Sequence, residues 1–139
     1  MIGIIVVTHG NIGLEMVQAA KRIIPDALHL AAVSVTPDLS PSSIRKQVEK
    51  AIHQVPHEDG TLILTDMFGG TPSNACTSLL SENKVEMISG VNLPMLIKLA
   101  SMKTDFPPFE KVAHFLKQYG RRNIVVASDV LEGDISSYE

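Results

Sequence analysis

Short apolar runs alternate along the chain with segments in which apolar residues recur at helical spacing. Residues 2–8 and 61–65 are runs rich in β-branched residues, a pattern typical of strands buried on both faces of a parallel sheet. Further strands are predicted at residues 28–35, 85–88 and 124–127. Because the strands alternate with predicted helices, the pattern indicates βαβ units and an α/β fold with a parallel sheet.

The predicted helices are marked by capping residues and by proline. Ser40–Pro41 and Thr71–Pro72 each place a capping side chain before a proline, which is favoured at the first helical position. Asn92 caps a further helix, and two more helices are predicted over residues 12–24 and 109–120. The last predicted strand follows two successive helices, so no simple crossover fixes its place in the sheet.

Composition narrows the range of functions. The chain of 139 residues suits a single domain, and its formal net charge of -3 argues against non-specific nucleic-acid binding, which requires clustered Lys and Arg. Its one cysteine, Cys76, excludes an internal disulfide and any metal site built from several thiolates. The sequence contains neither a signal peptide nor an apolar run of the roughly 18 residues that a membrane span needs. We therefore expect a cytoplasmic protein.

Three turns follow predicted strands at the edge where open α/β sheets bind their ligands. The first carries His9, the second runs from Asp66 to Pro72, and the third carries Asn92. The first and third predicted strands, at residues 2–8 and 61–65, are often neighbours in such sheets, so His9 and Asp66 could meet. Plainer interpretations exist for each residue, because a histidine at a strand end, an aspartate in a turn and a helix-capping asparagine are common structural features.

His9 and Asp66 together would form an activated imidazole. A carboxylate on one ring nitrogen fixes the tautomer, leaves the other nitrogen with its lone pair free, and stabilises positive charge that develops on the ring. Gly69–Gly70 would allow the backbone to approach closely, and the helix start at Thr71 would favour an anion. This combination suits a phosphoryl group better than a hydride or an acyl group, and it requires no metal ion or cofactor.

Common nucleotide and hydrolase motifs are missing from the sequence. We find no G-x-G-x-x-G after the first strand, no G-x-x-x-x-G-K, no H-E-x-x-H and no G-x-S-x-G. The phosphoryl donor is therefore expected to be another protein or a small phosphoester. His53 and His57 have a spacing that could chelate a metal ion, but Val55–Pro56 should end the helix between them.

The three turns carry motifs in a characteristic order and spacing. These are Thr8-His9-Gly10, Asp66 with the run from Phe68 to Ala75, and the run from Gly90 to Leu96. Together they resemble the IIA domain of the mannose-class bacterial phosphotransferase system. The similarity covers residues 1–128, which would be the IIA domain, and leaves residues 129–139 as a C-terminal tail.

The resemblance implies a reaction and its site residues. A IIA domain accepts a phosphoryl group from the phosphocarrier protein HPr onto a histidine and passes it to a IIB domain, which phosphorylates sugar during transport by the membrane components. By motif, His9 is the phosphorylated histidine, Asp66 orients it, and Gly70 and Thr71 lie near the phosphate. Met67 and Phe68 stand where one member of the family has Thr and Trp, and they leave partner preference open. The membrane would be reached only through the transporter components.

The resemblance also implies an architecture and an oligomeric state. The family fold is a three-layer sandwich, with a mostly parallel central sheet and helices on both faces. It is typically a homodimer in which the last strand is exchanged between subunits as an antiparallel edge. That exchange would explain the strand predicted at residues 124–127.

Four other interpretations stay open at this point. A regulatory phosphoprotein of the same fold would receive phosphate from HPr without serving a transporter. A second alternative is the related subunit that serves dihydroxyacetone kinase. A third is a flavodoxin-like module that binds a small molecule with no chemistry at His9, and a fourth is a phosphohydrolase in which water accepts the phosphate from His9.

Overall fold

The computed structural model describes residues 1–81 and 84–133, and its centre is a parallel β-sheet. Within those residues the sheet has the strand order β2-β1-β3-β4, with β1 at Gly3–His9, β2 at Leu30–Val35, β3 at Thr61–Thr65 and β4 at Val85–Ser89. Every neighbouring pair is parallel. The prediction of an α/β fold with a parallel sheet is confirmed, and β1 and β3 are its central strands.

Helices connect the strands and cover both faces of the sheet. In the described part of the chain they are α1 (Ile12–Ile23), α2 (Pro41–His53), α3 (Thr71–Cys76), α4 (Leu93–Ser101), α5 (Phe109–Arg122) and α6 (Ala127–Leu131), with a 3₁₀ turn at Thr77–Ser81. Helices α1, α4 and α5 pack on one face, and α2 and α3 pack on the other. None of these helices is both long and apolar enough to cross a membrane.

The side chains of β1 alternate between two cores. Ile4 and Val6 point into the core shared with α1, α4 and α5, whereas Ile5 and Val7 point into the core shared with α2 and α3. All four side chains are fully buried. Burying a side chain of this size contributes about 1.5–3 kcal/mol, so β1 is held firmly from both sides. Its last residue, His9, therefore stands on a rigid support.

Two of the three predicted helix caps are present. The Ser40 hydroxyl accepts a hydrogen bond from the Ser43 amide, and the Asn92 side chain accepts one from the Met95 amide. The prediction that Thr71 caps α3 is wrong. Gly70 occupies the cap position with extended backbone, and Thr71 is the first helical residue, so its side chain makes no capping bond.

The end of the described chain differs from the strand predicted at residues 124–127. Residues 124–126 join no strand of the described sheet, and α6 begins at Ala127. A strand needs a neighbour for its backbone hydrogen bonds, and in the single chain the Ile124 amide instead donates back to the Arg121 carbonyl. Of the predicted tail, residues 129–133 belong to α6 and the turn after it, and residues 134–139 lie outside the described part.

Candidate functional site

The carboxyl ends of the two central strands carry the candidate site. His9 is the last residue of β1, and Asp66 follows directly after β3. The two strands pair in parallel with Val7 opposite Thr65, which brings their ends to the same place at the sheet edge. Residues 57 positions apart in the sequence thus become neighbours.

A single carboxylate oxygen of Asp66 holds His9 at two points. Oδ2 lies 2.8 Å from His9 Nδ1 and accepts a second hydrogen bond from the His9 backbone N–H at 3.2 Å. An ionised carboxylate can only accept, so Nδ1 is the donor, and in a neutral imidazole Nε2 then has the free lone pair. The Asp66 side chain is 18% exposed and that of His9 is 45% exposed. The pair therefore combines a sheltered carboxylate with an imidazole that a partner can reach.

Gly70 closes one side of the imidazole. A β-carbon built at Gly70 would lie 3.4 Å from His9 Nε2 and only 2.9 Å from Cε1, and the second distance is shorter than side-chain contacts normally are. The backbone of Gly70 is extended, with φ of −76°. Glycine is thus favoured at this position because a side chain would crowd the His9 ring, and not because of the backbone conformation of residue 70.

Thr71 faces a cavity that begins at His9. The cavity has a volume of about 330 Å³ and is lined by His9, Thr71 and the loop after β2, which includes Thr36 and Leu39. Thr71 is exposed as the first residue of α3. The structure thus brings His9, Asp66, Gly70 and Thr71, the four residues singled out in the sequence, to one end of the sheet.

The third predicted turn contributes to the support of this edge. The amides of Gly90 and Val91 donate to the carbonyl of Thr65, the residue before Asp66, at 2.9 and 3.1 Å. The Asn92 side chain caps α4 and donates to the Gly120 carbonyl at the end of α5. This turn therefore supports the backbone next to Asp66. None of its hydrogen bonds in the described chain is made with His9.

Ser73 belongs to the site and was missed in the sequence. Its buried hydroxyl is bonded to the backbone of both Gly69 and Gly70. Serine in the first turn of a helix commonly bonds to nearby backbone, which is the one signal that the sequence carried. What it bonds to depends on the path of the glycine loop, which the sequence pattern does not reveal.

Comparison with known proteins assigns the chain to a family. The family model EIIA-man, described as "PTS system fructose IIA component", matches residues 3–117. The "PTS system fructose-specific EIIA component" of Bacillus subtilis is 29% identical over 95% of this chain and 90% of its own length. The "PTS system sorbose-specific EIIA component" of Lacticaseibacillus casei is 29% identical over 82% of this chain and 83% of its own. The chain spans 38% of the "PTS system mannose-specific EIIAB component" of Escherichia coli K12, with 23% identity.

Solved structures show the same fold. The phosphotransferase system component EIIA from Streptococcus agalactiae superposes with a TM-score of 0.81 at 25% identity, covering 92% of this chain and 98% of that one. The mannose/sorbose specific IIA subunit from Enterococcus faecalis superposes with a TM-score of 0.76 at 24% identity, covering 90% and 93%. The chain belongs to the EIIA-man family: it is a IIA component, and hence a phosphoryl carrier, of the sugar phosphotransferase system.

Proposed function

We propose that His9 accepts a phosphoryl group from HPr on Nε2 and passes it to a IIB component during sugar uptake. The observation that carries the proposal is the His9–Asp66 pair, in which a 2.8 Å contact to Nδ1 leaves Nε2 with its lone pair at an exposed edge of the ring. The proposal places the transfer in the cytoplasm, and the membrane enters only through the transporter components.

The transfer is a simple exchange of one bond to phosphorus for another. The Nε2 lone pair attacks phosphorus in line, a nitrogen–phosphorus bond forms, and the bond to the donor atom of HPr breaks with its electron pair leaving on HPr. The ring keeps its proton on Nδ1 and becomes positive, and the Asp66 carboxylate stabilises that charge. Transfer to IIB repeats the step with His9 as the leaving group.

Gly70 and Thr71 are proposed to bind the phosphoryl group. Gly70 has no side chain, and a β-carbon there would come within 3.4 Å of Nε2, so glycine leaves that space free for phosphoryl oxygens. Thr71 lines the same cavity as His9, and its hydroxyl makes no capping bond in α3. A free hydroxyl and the unpaired amides of a helix start are suitable donors to phosphoryl oxygens.

The proposal includes a homodimer in which residues 124–127 form an antiparallel edge strand on the partner. Strand β4 is an edge of the described sheet, so one side of its backbone has no strand neighbour there. Ile124 and Val126 are 75% and 63% exposed, and the backbone of Val126 is already extended. Exchange would cover the open edge and the exposed apolar side chains together. Residues 129–139 would then follow as the tail of a domain formed by residues 1–128.

Phosphorylation of the intact protein tests the proposal. We expect incubation with phosphoenolpyruvate, enzyme I and HPr to add one acid-labile phosphoryl group to the wild type and none to His9→Ala, as read by intact mass. His114→Ala is the matched control, because His114 is also exposed but lies on α5. Label on His9→Ala would refute the assignment of His9.

Addition of a IIB component identifies the acceptor. Rapid loss of the label to IIB is expected of a carrier in transport. Retention of the label in the presence of IIB would favour a regulatory phosphoprotein, and its rapid loss to water alone would favour a phosphohydrolase.

A further inference from the structure

The Ser73 hydroxyl lies directly behind the glycine pair that faces His9. Ser73 is 1% exposed, and its Oγ accepts a hydrogen bond from the Gly69 N–H at 2.9 Å. The same hydroxyl donates to the Gly70 carbonyl at 3.1 Å. One buried side chain therefore ties both glycines to the first turn of α3.

The glycine pair depends on such ties to hold one conformation. Gly69 has a φ of +84°, which few other residues adopt, and two consecutive glycines have more backbone freedom than any other pair. Asn74 adds two more bonds, from its side-chain amide to the Gly69 carbonyl at 3.1 Å and from its backbone N–H to the Gly70 carbonyl at 3.0 Å. Side chains and backbone of α3 thus fix the path of the loop.

The fixed loop lies close to the reactive edge of the imidazole. A β-carbon on Gly70 would lie 2.9 Å from His9 Cε1, the ring atom next to Nε2. Asp66 fixes the ring through Nδ1, the ring nitrogen on the other side of Cε1 from Nε2. The hydrogen bond to Asp66 and the nearby backbone of Gly70 therefore both limit the position of the ring, and a displaced Gly70 would leave only the hydrogen bond to do so.

We infer that Ser73 is a positioning residue for phosphoryl transfer, which holds Gly69 and Gly70 so that the Nε2 lone pair keeps its direction. The inference rests on the proposed role of His9 and adds a residue that does not touch the phosphoryl group. Phosphoryl transfer depends on in-line alignment, and a misplacement of about 1 Å can reduce a rate roughly a hundredfold.

The test compares Ser73→Ala with a control of equal burial on the same helix. Cys76→Ala removes a buried thiol from α3, as Ser73→Ala removes a buried hydroxyl. Cys76 packs into the core and makes no contact that holds the glycine loop. Asn74→Ala is a second test variant at an exposed position, where loss of folding is not expected. Single-turnover transfer from phosphorylated HPr and the NMR signal of His9 Cε1–H are measured for each full-length protein.

We expect Ser73→Ala to slow transfer about tenfold to a hundredfold and to shift and broaden the His9 Cε1–H signal, because Gly70 lies close to Cε1. Asn74→Ala should also slow transfer and perturb the His9 Cε1–H signal, but less than Ser73→Ala does. Cys76→Ala should lower the melting temperature while its transfer rate stays within about twofold of wild type.

Two results would overturn the inference. One is an unchanged His9 signal and rate in Ser73→Ala, and the other is an equal loss of transfer in Cys76→Ala, which would mean that stability alone matters. A wild-type protein that accepts no phosphoryl group would instead refute the proposed function, so the two failures are distinguishable.

Discussion

At the scale of single residues, the proposed phosphoryl transfer depends on the space beside the His9 ring as well as on its hydrogen bond to Asp66. Gly70→Ala would place a methyl group 2.9 Å from Cε1, while the extended backbone at this position accepts any residue. We expect the variant to fold normally and to lose phosphoryl acceptance about tenfold or more, because the ring must turn or the loop must move. Phosphorylation kinetics measure the loss.

Thermal unfolding serves as the control for Gly70→Ala. The melting temperature should stay within a few degrees of wild type, since no buried core contact is removed. Wild-type kinetics in the variant would show that the ring and loop adjust freely, and that phosphoryl acceptance does not depend on glycine at position 70.

A second residue, His29, links stability to pH at the opposite end of the sheet. Its side chain is fully buried before β2, and its Nε2 donates a hydrogen bond to the Leu99 carbonyl at 2.8 Å. Nδ1 has no hydrogen-bond partner in the described chain. Burial lowers the pKa of His29, an effect that the Leu99 carbonyl opposes in part. The folded protein therefore favours the neutral form of this histidine more than the unfolded chain does.

The lowered pKa sets the direction of the pH effect. The unfolded chain takes up the proton near the ordinary pKa of about 6.5, whereas the folded chain does so at a lower pH. Stability is therefore full above about pH 6.5 and falls as the pH drops below it, by at most about 1.4 kcal/mol per pH unit from this group. Urea unfolding at pH 7.5 and pH 5.5 should show a smaller pH effect in His29→Gln. Equal pH effects in both proteins would contradict the prediction.

At the scale of elements, Asn92 joins two helices. Its Oδ1 caps α4 at the Met95 amide, 3.1 Å away, and its Nδ2 donates to the Gly120 carbonyl near the end of α5 at 3.2 Å. We expect Asn92→Ala to reduce the free energy of unfolding by about 1–3 kcal/mol, more than the loss from a simple cap, because two bonds disappear. Denaturant titration measures this loss.

Two variants separate the roles of Asn92. Asn92→Asp keeps the oxygen that caps α4 and removes the donor to Gly120, so its loss should be intermediate. Ser40→Ala removes the cap of α2 alone and should cost about 1 kcal/mol. If Asn92→Ala costs no more than Ser40→Ala, the link to α5 contributes little.

Elements were predictable from the sequence where their determinants are local. The caps at Ser40 and Asn92 depend on residues a few positions away, and both are present. The prediction of a cap at Thr71 was wrong because Gly70, which has no side chain for capping, occupies the cap position of α3. The strand predicted at residues 124–127 has suitable side chains, but pairing depends on a neighbour that local sequence cannot specify.

The candidate site was predictable to the extent that fold class dictates it. Parallel strands bring their carboxyl ends to one edge, and that rule places His9 near Asp66 without further detail. The tie from Ser73 to Gly69 and Gly70 could not be predicted, since it depends on the positive φ of Gly69 and on the turn that follows.

At the scale of the whole molecule, the proposed exchange predicts a dimer in solution. Ile124 and Val126 would become buried against the partner's β4, and burial of apolar surface contributes about 25 cal/mol per Å². The double variant Ile124→Asp with Val126→Asp should therefore sediment as a monomer, while the wild type sediments as a dimer.

Leu28→Asp provides the matched control for the double variant. Leu28 is 70% exposed and lies before β2, at the opposite edge of the sheet. This variant should remain dimeric, because it removes an exposed leucine of similar size without changing residues 124–127. A monomeric wild type would remove the exchanged strand from the proposal.

The strand order has a consequence for how the site comes into existence. His9 and Asp66 stand on the two central strands, and the chain between them forms α1, β2 and α2 before it returns as β3. A cut at the turn before Gly60, on the far side of the sheet, would give two fragments with half of the pair each. Under the proposed function, uptake of phosphate would return only when the fragments reassemble, and phosphorylation of His9 would then report that both halves of the molecule have associated.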